Sequence, residues 1–236
     1  MQHRPSVRLK MFAIRQLIKR TPLGSQNSSE AVSDMEGEGK SVQTSGIVSG
    51  TKVASTLGWR PIEAIDVGDD VLTFDGGMQT VLHVVRETLW KGTAVCPKHL
   101  WPLRVPLGAL GNQDPMYLLP DQNVLIESDT AEEVLGDPFA LMPAQSLEGV
   151  SGIRRVRPHQ VLEVITLHFE RDEIVFANVG ALFHCPAFSQ KDLLTASGEA
   201  QYEPLPLTQA CLLSDFIGRE AKIDRGDDAD TPSAKL

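Results

Sequence analysis

Residues 46–77 read GIVSGTKVASTLGWRPIEAIDVGDDVLTFDGG, and the punctuation of this stretch decides what kind of fold the chain can build. Thr51, Val53 and Ser55 alternate with Lys52, Ala54 and Thr56, which is the period of a strand, and Leu57-Gly58-Trp59-Arg60-Pro61 then turns the chain. Pro61 to Ile65 is short and helix-capable, with Ile62 and Ile65 three apart on one side, and Val67-Gly68-Asp69-Asp70 closes it with a turn. Val71-Leu72-Thr73-Phe74 forms a strand, Asp75-Gly76-Gly77 is a hairpin signal, and the β-rich run MQTVLHVVRETLW returns.

The same grammar continues downstream. Asn123 to Glu127, Val161 to Phe169 and Glu173 to Ala177 are further strands, and Gly or Pro marks nearly every gap. No repeat of fixed period, no long amphipathic helix within the core and no regular alternation of strands with helices is present, which disfavours a parallel α/β sheet. The expected class is all-β with small helices.

At 236 residues the chain suffices for one core with tails. The hydrophobic fraction of 42% is ordinary, and no apolar run reaches the length that crosses a bilayer, so stable membrane insertion is not expected. A formal net charge of -9 argues against a nucleic-acid partner, because that affinity comes mostly from Lys and Arg displacing counterions. Cys96, Cys185 and Cys211 are too few and too scattered for a disulfide framework, which fits a reducing cytoplasm.

The start, MQHRPSVRLKMFAIRQLIKR, lacks the uninterrupted apolar segment of a secretory signal. Val7, Met11, Ile14 and Leu17 or Ile18 fall near a helical period with Arg8, Arg15 and Lys19 on other faces. Residues 5–20 therefore fit a short basic amphipathic helix that could meet a membrane or a partner. A frayed terminus fits as well, since isolated helices this short are marginal in water. Residues 21–45, rich in Ser, Gly, Glu and Gln, read as a flexible linker, and the stretch from Arg219 to Leu236 reads as a disordered tail. The folded part is expected over residues 46–218.

Within these limits the residues resemble a known family. Gly50-Thr51-x-Val53-Ala54-Ser55, Gly58-Trp59-x-Pro61-Ile62-Glu63-x-Ile65 and Gly68-Asp69-x-Val71-Leu72-Thr73-x-Asp75 look like the opening of a Hint domain, the module shared by Hedgehog C-terminal regions and inteins. Leu107 to Asn112 resembles the later Gly-Ala-Leu-Gly segment of bacterial members, and Leu118 to Leu125 their Ser-Pro-x-His-x-Val-Leu stretch. Met142-Pro143-Ala144, Gly152 to Arg155 and Leu167 to Ala177 follow in the family's order. Five motifs in sequence, spanning about residues 46–188, make the resemblance specific.

The resemblance implies a compact, pseudo-twofold β horseshoe whose first residue enters a central cleft. There a Cys or Ser attacks the carbonyl before it, while a histidine protonates the departing amide nitrogen and nearby donors steady the oxyanion. Aligning Gly50-Thr51 with the family's Gly-Thr puts the nucleophile's place on Gly46, which has no side chain. The serine and histidine of the Ser-Pro-x-His stretch become Leu119 and Gln122, and an amide cannot deliver a proton near neutral pH. Before Glu173, where bacterial members carry histidine, stands Asp172. Losses at Gly46, Gln122 and Asp172 together point to a Hint-like module that binds or scaffolds an unknown protein partner without efficient self-cleavage and without a cofactor.

Two other readings stay open. A one-residue slip makes Ser45 the nucleophile against the carbonyl of Thr44, although a hydroxyl without a histidine partner is weak and Ser45 also fits the end of a polar linker. Cys96-Pro97-Lys98-His99 has zinc-ligating spacing, with His184-Cys185 able to complete a structural site only from a turn; a buried Cys96 and a partly exposed His99 is the plainer expectation. His83, His159 and His168 fit satisfied strand positions, and Trp59, Trp90 and Trp101 fit either a peptide groove or sheet corners. Glu132-Glu133 and Asp227 to Asp230 are solvated charge.

Overall fold

The computed structural model describes residues 45–92, 94–187 and 202–224. The basic segment 1–20, the linker up to residue 44 and the tail beyond Asp224 lie outside the described residues.

Among the described residues fourteen strands form two sheets. The first has six strands in the order β11 (Arg154–Arg155), β7 (Leu103–Val105), β8 (Met116–Leu118), β1 (Ile47–Val48), β12 (Leu162–His168) and β6 (His83–Trp90). The second runs β10 (Phe139–Pro143), β9 (Asn123–Glu127), β14 (Ala181–Cys185), β13 (Glu173–Ala177), β2 (Lys52–Ser55), β4 (Asp70–Thr73) and β5 (Gly77–Thr80), with β3 (Gly58–Pro61) added on β2. All paired strands are antiparallel.

Alternation explains which face each strand buries. In β13 Glu173, Val175 and Ala177 point inward, and in β14 Ala181, Phe183 and Cys185 do the same. Val175, Ala177, Ala181, Phe183 and Cys185 join Ile47, Leu103, Leu118, Ile165 and Leu167 of the other sheet in the main core, which the two sheets share, while Val48, Leu119, Leu162 and Val164 form a second, smaller cluster. The run MQTVLHVVRETLW does not act as one returning strand. It divides between β5 and β6, which lie in different sheets: Val81 N–H donates to Asp69 O at 2.9 Å, and the next residue, Leu82, donates to His168 O at 2.9 Å. One peptide step thus carries the chain from one sheet to the other, and Val81 is fully buried at the crossing.

Helices are few, as the pattern predicts, but one is long. Ile62–Ala64 forms a short 3-10 turn where the sequence marks helix-capable residues. Helix α1 (Asp129–Leu135) and helix α2 (Leu207–Asp224) are the two α-helices of the described residues. The second corrects the expectation of a core without a long helix, and it runs through Arg219–Asp224, the start of the stretch expected as a tail. Ala210 and Leu213 of α2 enter the main core, and the helix packs on β10, α1 and the 3-10 turns at Ala144–Leu147 and Val150–Gly152. Ser214, Gly218 and the charges of Arg-Glu-Ala-Lys dilute its apolar stripe in the sequence, and tertiary contact supplies what periodicity lacks.

Two glycines set the spacing at one end of the molecule. A Cβ on Gly180, in the turn between β13 and β14, would overlap the carbonyl of Gly111 and lie 3.2 Å from its Cα. The Gly-Ala-Leu-Gly segment therefore rests backbone to backbone on that turn, and Asn178 O accepts Gln113 N–H at 2.9 Å beside it.

Candidate functional site at the Ser45–Gly46 bond

Strand β1 runs through the middle of the six-stranded sheet. Ile47 faces Leu118 on one side and Ile165 on the other, and Val48 faces Val164. This placement brings the buried Gly46 to the entry of a central strand. Its amide nitrogen, which belongs to the Ser45–Gly46 peptide bond, donates to Gln122 Oε1 at 2.9 Å.

Gln122 is held there by its own turn. Gln122 N–H donates to Leu119 O at 3.1 Å, Ala144 N–H to Gln122 O at 2.8 Å, and Gln145 N–H to Pro120 O at 2.9 Å. The side chain is 1% exposed and its amide is fully engaged: Nε2 donates to Asn123 O at 2.8 Å and to His184 O at 2.9 Å. Both donors are spent on carbonyls, and only the oxygen faces the Ser45–Gly46 nitrogen. Gln122 thus meets this amide nitrogen as a hydrogen-bond acceptor, with no donor left to offer it. It also ties β1 of one sheet to β9 and β14 of the other.

Gly46 has φ +122°, a backbone region that side chains rarely occupy. The space beside it is filled. A Cβ built there would run into Val164 Cγ1 and stand 2.9 Å from Thr166 Oγ1, with Ile165 O at 3.6 Å. The space beside the Gly46 Cα is taken by two residues of β12.

Asp172 lies elsewhere. Its Oδ1 accepts Ala187 N–H at 2.8 Å, and its Oδ2 is 3.8 Å from His184 Nε2, too long for a hydrogen bond. No hydrogen bond joins Asp172 to Gly46 or Gln122 among the described residues. His184 is the residue that the sequence considered only for metal binding, yet it links the other positions: its carbonyl takes Gln122, while its ring faces Asp172 and meets the Tyr202 ring edge-on at 6.3 Å. Burial lowers the pKa of this ring against the opposing pull of the Asp172 carboxylate, which favours neutral imidazole. Its Nε2 is buried without a hydrogen-bond partner. Strand alternation could have assigned it, since in Leu182-Phe183-His184-Cys185 the histidine falls opposite in phase to the core-facing phenylalanine.

The remaining candidates do not converge. Ser45 is partly buried, and no side chain among the described residues hydrogen-bonds to it. Cys96 is 1% exposed, its thiol raised by burial and directed at Pro97 O at 3.7 Å, whereas His99 is exposed on a short 3-10 turn. His184 and Cys185 lie in a strand and point to opposite faces, which prevents them from sharing an ion. Cys185 sits against Glu173 in the core with its thiol pushed up to about 12, chiefly by burial. Among the described residues no three His, Cys, Asp or Glu side chains gather as metal ligands. Glu173 is itself buried, with Oε2 lacking a hydrogen-bond partner. Trp90 and Trp101 are half-buried, their indole nitrogens capping Ala94 O and Cys96 O at 3.0 and 2.9 Å, while Trp59 is 40% exposed.

The family model described as Hint domain matches residues 46–182, more than half of the chain. The chain belongs to the Hint domain family. The match opens on Gly46 and closes at Leu182, so His184, Cys185 and helix α2 lie beyond it. Among solved structures, this Hint domain is similar to the bacterial intein-like domain from Clostridium thermocellum, with 15% identity over 59% of this chain and 98% of that one and a TM-score of 0.42. It is likewise similar to the gp41-1 intein, at 19% identity over 58% and 97% with a TM-score of 0.38, and to the MchDnaB-1 intein, at 12% over 58% and 98% with a TM-score of 0.36. No curated protein matches the chain. No helix of the described residues is long and apolar enough to cross a membrane.

Proposed function

We propose that this Hint domain keeps the autoprocessing fold without the autoprocessing reaction, and acts as a binding or scaffolding module for a protein partner in a reducing cytoplasm. One observation carries the reading: Gly46 offers no nucleophile, and Val164 and Thr166 occupy the room one would need. An acyl shift requires an attacking sulfur or oxygen on the residue after the scissile carbonyl, then a proton for the amide nitrogen. Gln122 supports the same conclusion, since it meets that nitrogen as an acceptor and has no donor left for it. Its hydrogen bond to the N–H holds the planar amide in its ground state. The free thiols of Cys96, Cys185 and Cys211 are consistent with the proposed compartment.

The test is the intact mass of the purified full chain, incubated with and without hydroxylamine or dithiothreitol over a day. Only full-length protein is expected in every sample. A fragment beginning at Gly46 or Ser45, increasing with either reagent, would overturn the reading; the second fragment would assign the cut to Ser45 acting on Thr44.

A further inference from the structure

Arg104 of β7 and Arg154 of β11 stand directly opposite each other on paired antiparallel strands, and Tyr117 of β8 stands opposite Arg104 on its other side. Their sequence neighbours Leu103, Val105, Met116, Leu118 and Ile153 enter the main core, so alternation turns the Arg154–Arg104–Tyr117 row to the other face of the six-stranded sheet. Arg154 is exposed, Arg104 partly exposed and Tyr117 44% exposed. Like charges set directly opposite on a sheet repel, and side chains so placed have Cβ atoms only about 5 Å apart. Elsewhere the fold answers such charges: Arg60, Arg86 and Arg155 meet the carboxylates of Asp69, Asp66 and Glu148 at 2.9, 2.9 and 3.3 Å. Neither Arg104 nor Arg154 forms an ion pair among the described residues, in a chain with 31 Asp and Glu against 22 Lys and Arg. The pair is a bare positive spot on an acidic protein, placed where it costs the sheet stability.

We propose that this row is the surface on which the domain receives its protein partner, and that the partner brings an acidic segment. Its carboxylates are held by the Arg104 and Arg154 guanidinium forks, and an apolar side chain beside them lies on the Tyr117 ring. The inference rests on the partner-binding reading above and names the face and chemistry of that binding. Arginine and tyrosine are the residues that interfaces concentrate, since a guanidinium fork grips a carboxylate with two parallel hydrogen bonds and a phenol ring offers apolar area with a polar tip. A row across the face of a sheet suits a chain segment lying over it, whereas a small ligand is held by a cavity that encloses most of its surface. Nucleic acid does not fit, because its affinity is built from many phosphate contacts and the net charge of -9 repels it. A short acidic segment needs only the two forks, and its charge is complementary to theirs alone on this row.

The probe is a fluorescein-labelled peptide of consecutive glutamates ending in a leucine pair, titrated at low salt into the full chain and into full chains carrying Arg104→Gln or Arg154→Gln. Fluorescence polarisation should show saturable binding to the parent, about tenfold weaker in either variant, and weaker still as added salt screens the charges. Magnetic resonance of the parent should place the peptide on the row, with shifts at the Nε–H of Arg104 and Arg154 and at the Tyr117 ring. The thermal midpoint of each variant should equal or exceed that of the parent, because removing one of two opposed charges relieves repulsion. A lower midpoint would show that the pair serves the fold, and equal affinity in parent and variants would place the peptide elsewhere; either result overturns the proposal. Inorganic phosphate that binds as tightly as the peptide would assign the forks to a small anion and overturn it too. Intact mass on the same samples keeps the two failures apart: a cut chain counts against the uncut-fold reading, while an uncut chain that ignores the peptide counts only against this surface.

Discussion

A serine differs from the glycine at position 46 by one hydroxymethyl group, and the surrounding residues leave no volume for it. Val164 Cγ1 and Thr166 Oγ1 bound the niche from β12, and the +122° φ sets a further penalty on any side chain. Gly46→Ser should therefore destabilise the fold by about 2–4 kcal/mol, the sum of overpacking and backbone strain, lowering the urea midpoint without producing a cut chain. Adding Val164→Ala should return part of that loss, because it removes the atom a Cβ would strike, while the backbone penalty persists. A Gly46→Ser chain as stable as the parent would mean that the niche opens freely, and would remove the steric argument for the proposed inactivity. The sequence shows the missing side chain at once. The filled niche was not legible, since Val164 and Thr166 lie more than a hundred positions away and only the β1–β12 register brings them there.

Elements whose signal is local were legible at their boundaries. The sequence places strands at Asn123 to Glu127 and Glu173 to Ala177, and these are β9 and β13. Where the decision depends on a distant partner, pattern fails: β5 and β6 read as one run because both are β-rich, and α2 is hidden because its stripe is completed by the turns it covers. The contact between the 106–112 loop and the β13–β14 turn belongs to the same class. Gly180 meets a rigid carbonyl, Gly111 O, which cannot rotate away as a side chain can. Gly180→Ala is expected to cost about 2–4 kcal/mol by forcing the two segments apart. Gly108→Ala, at φ +79° with nothing within 4 Å, should cost only about 1 kcal/mol, from conformation alone. Equal losses in the two variants, measured by urea unfolding, would show that backbone strain and not close approach governs the turn.

Across the whole molecule, the motifs of the sequence sufficed for the family and the all-β class, because a Hint domain's turns are written in local Gly, Pro and Asp. They did not reveal how the two sheets are joined beneath the Ser45–Gly46 bond. That joint is the Gln122 amide, reaching β1 and β14 together, and it sets the backbone of His184 while the ring turns to Asp172. The stability of the molecule should register this burial as a pH dependence. Burial lowers the folded-state pKa of His184 below its ordinary 6.5, so between the two values the unfolded chain binds the extra proton and the folded chain does not. Stability contributed by the neutral ring is present above 6.5 and is lost as pH falls from 6.5 toward the lowered folded value, with a slope of at most about 1.4 kcal/mol per pH unit from this one group. His184→Gln keeps the backbone carbonyl that Gln122 uses and removes the titration. Urea unfolding at pH 7.5, 6.5 and 5.5 should show the parent losing stability over the lower interval and the variant losing measurably less. Parallel curves would mean that protonated His184 gains as much from Asp172, 3.8 Å away, as burial takes from it.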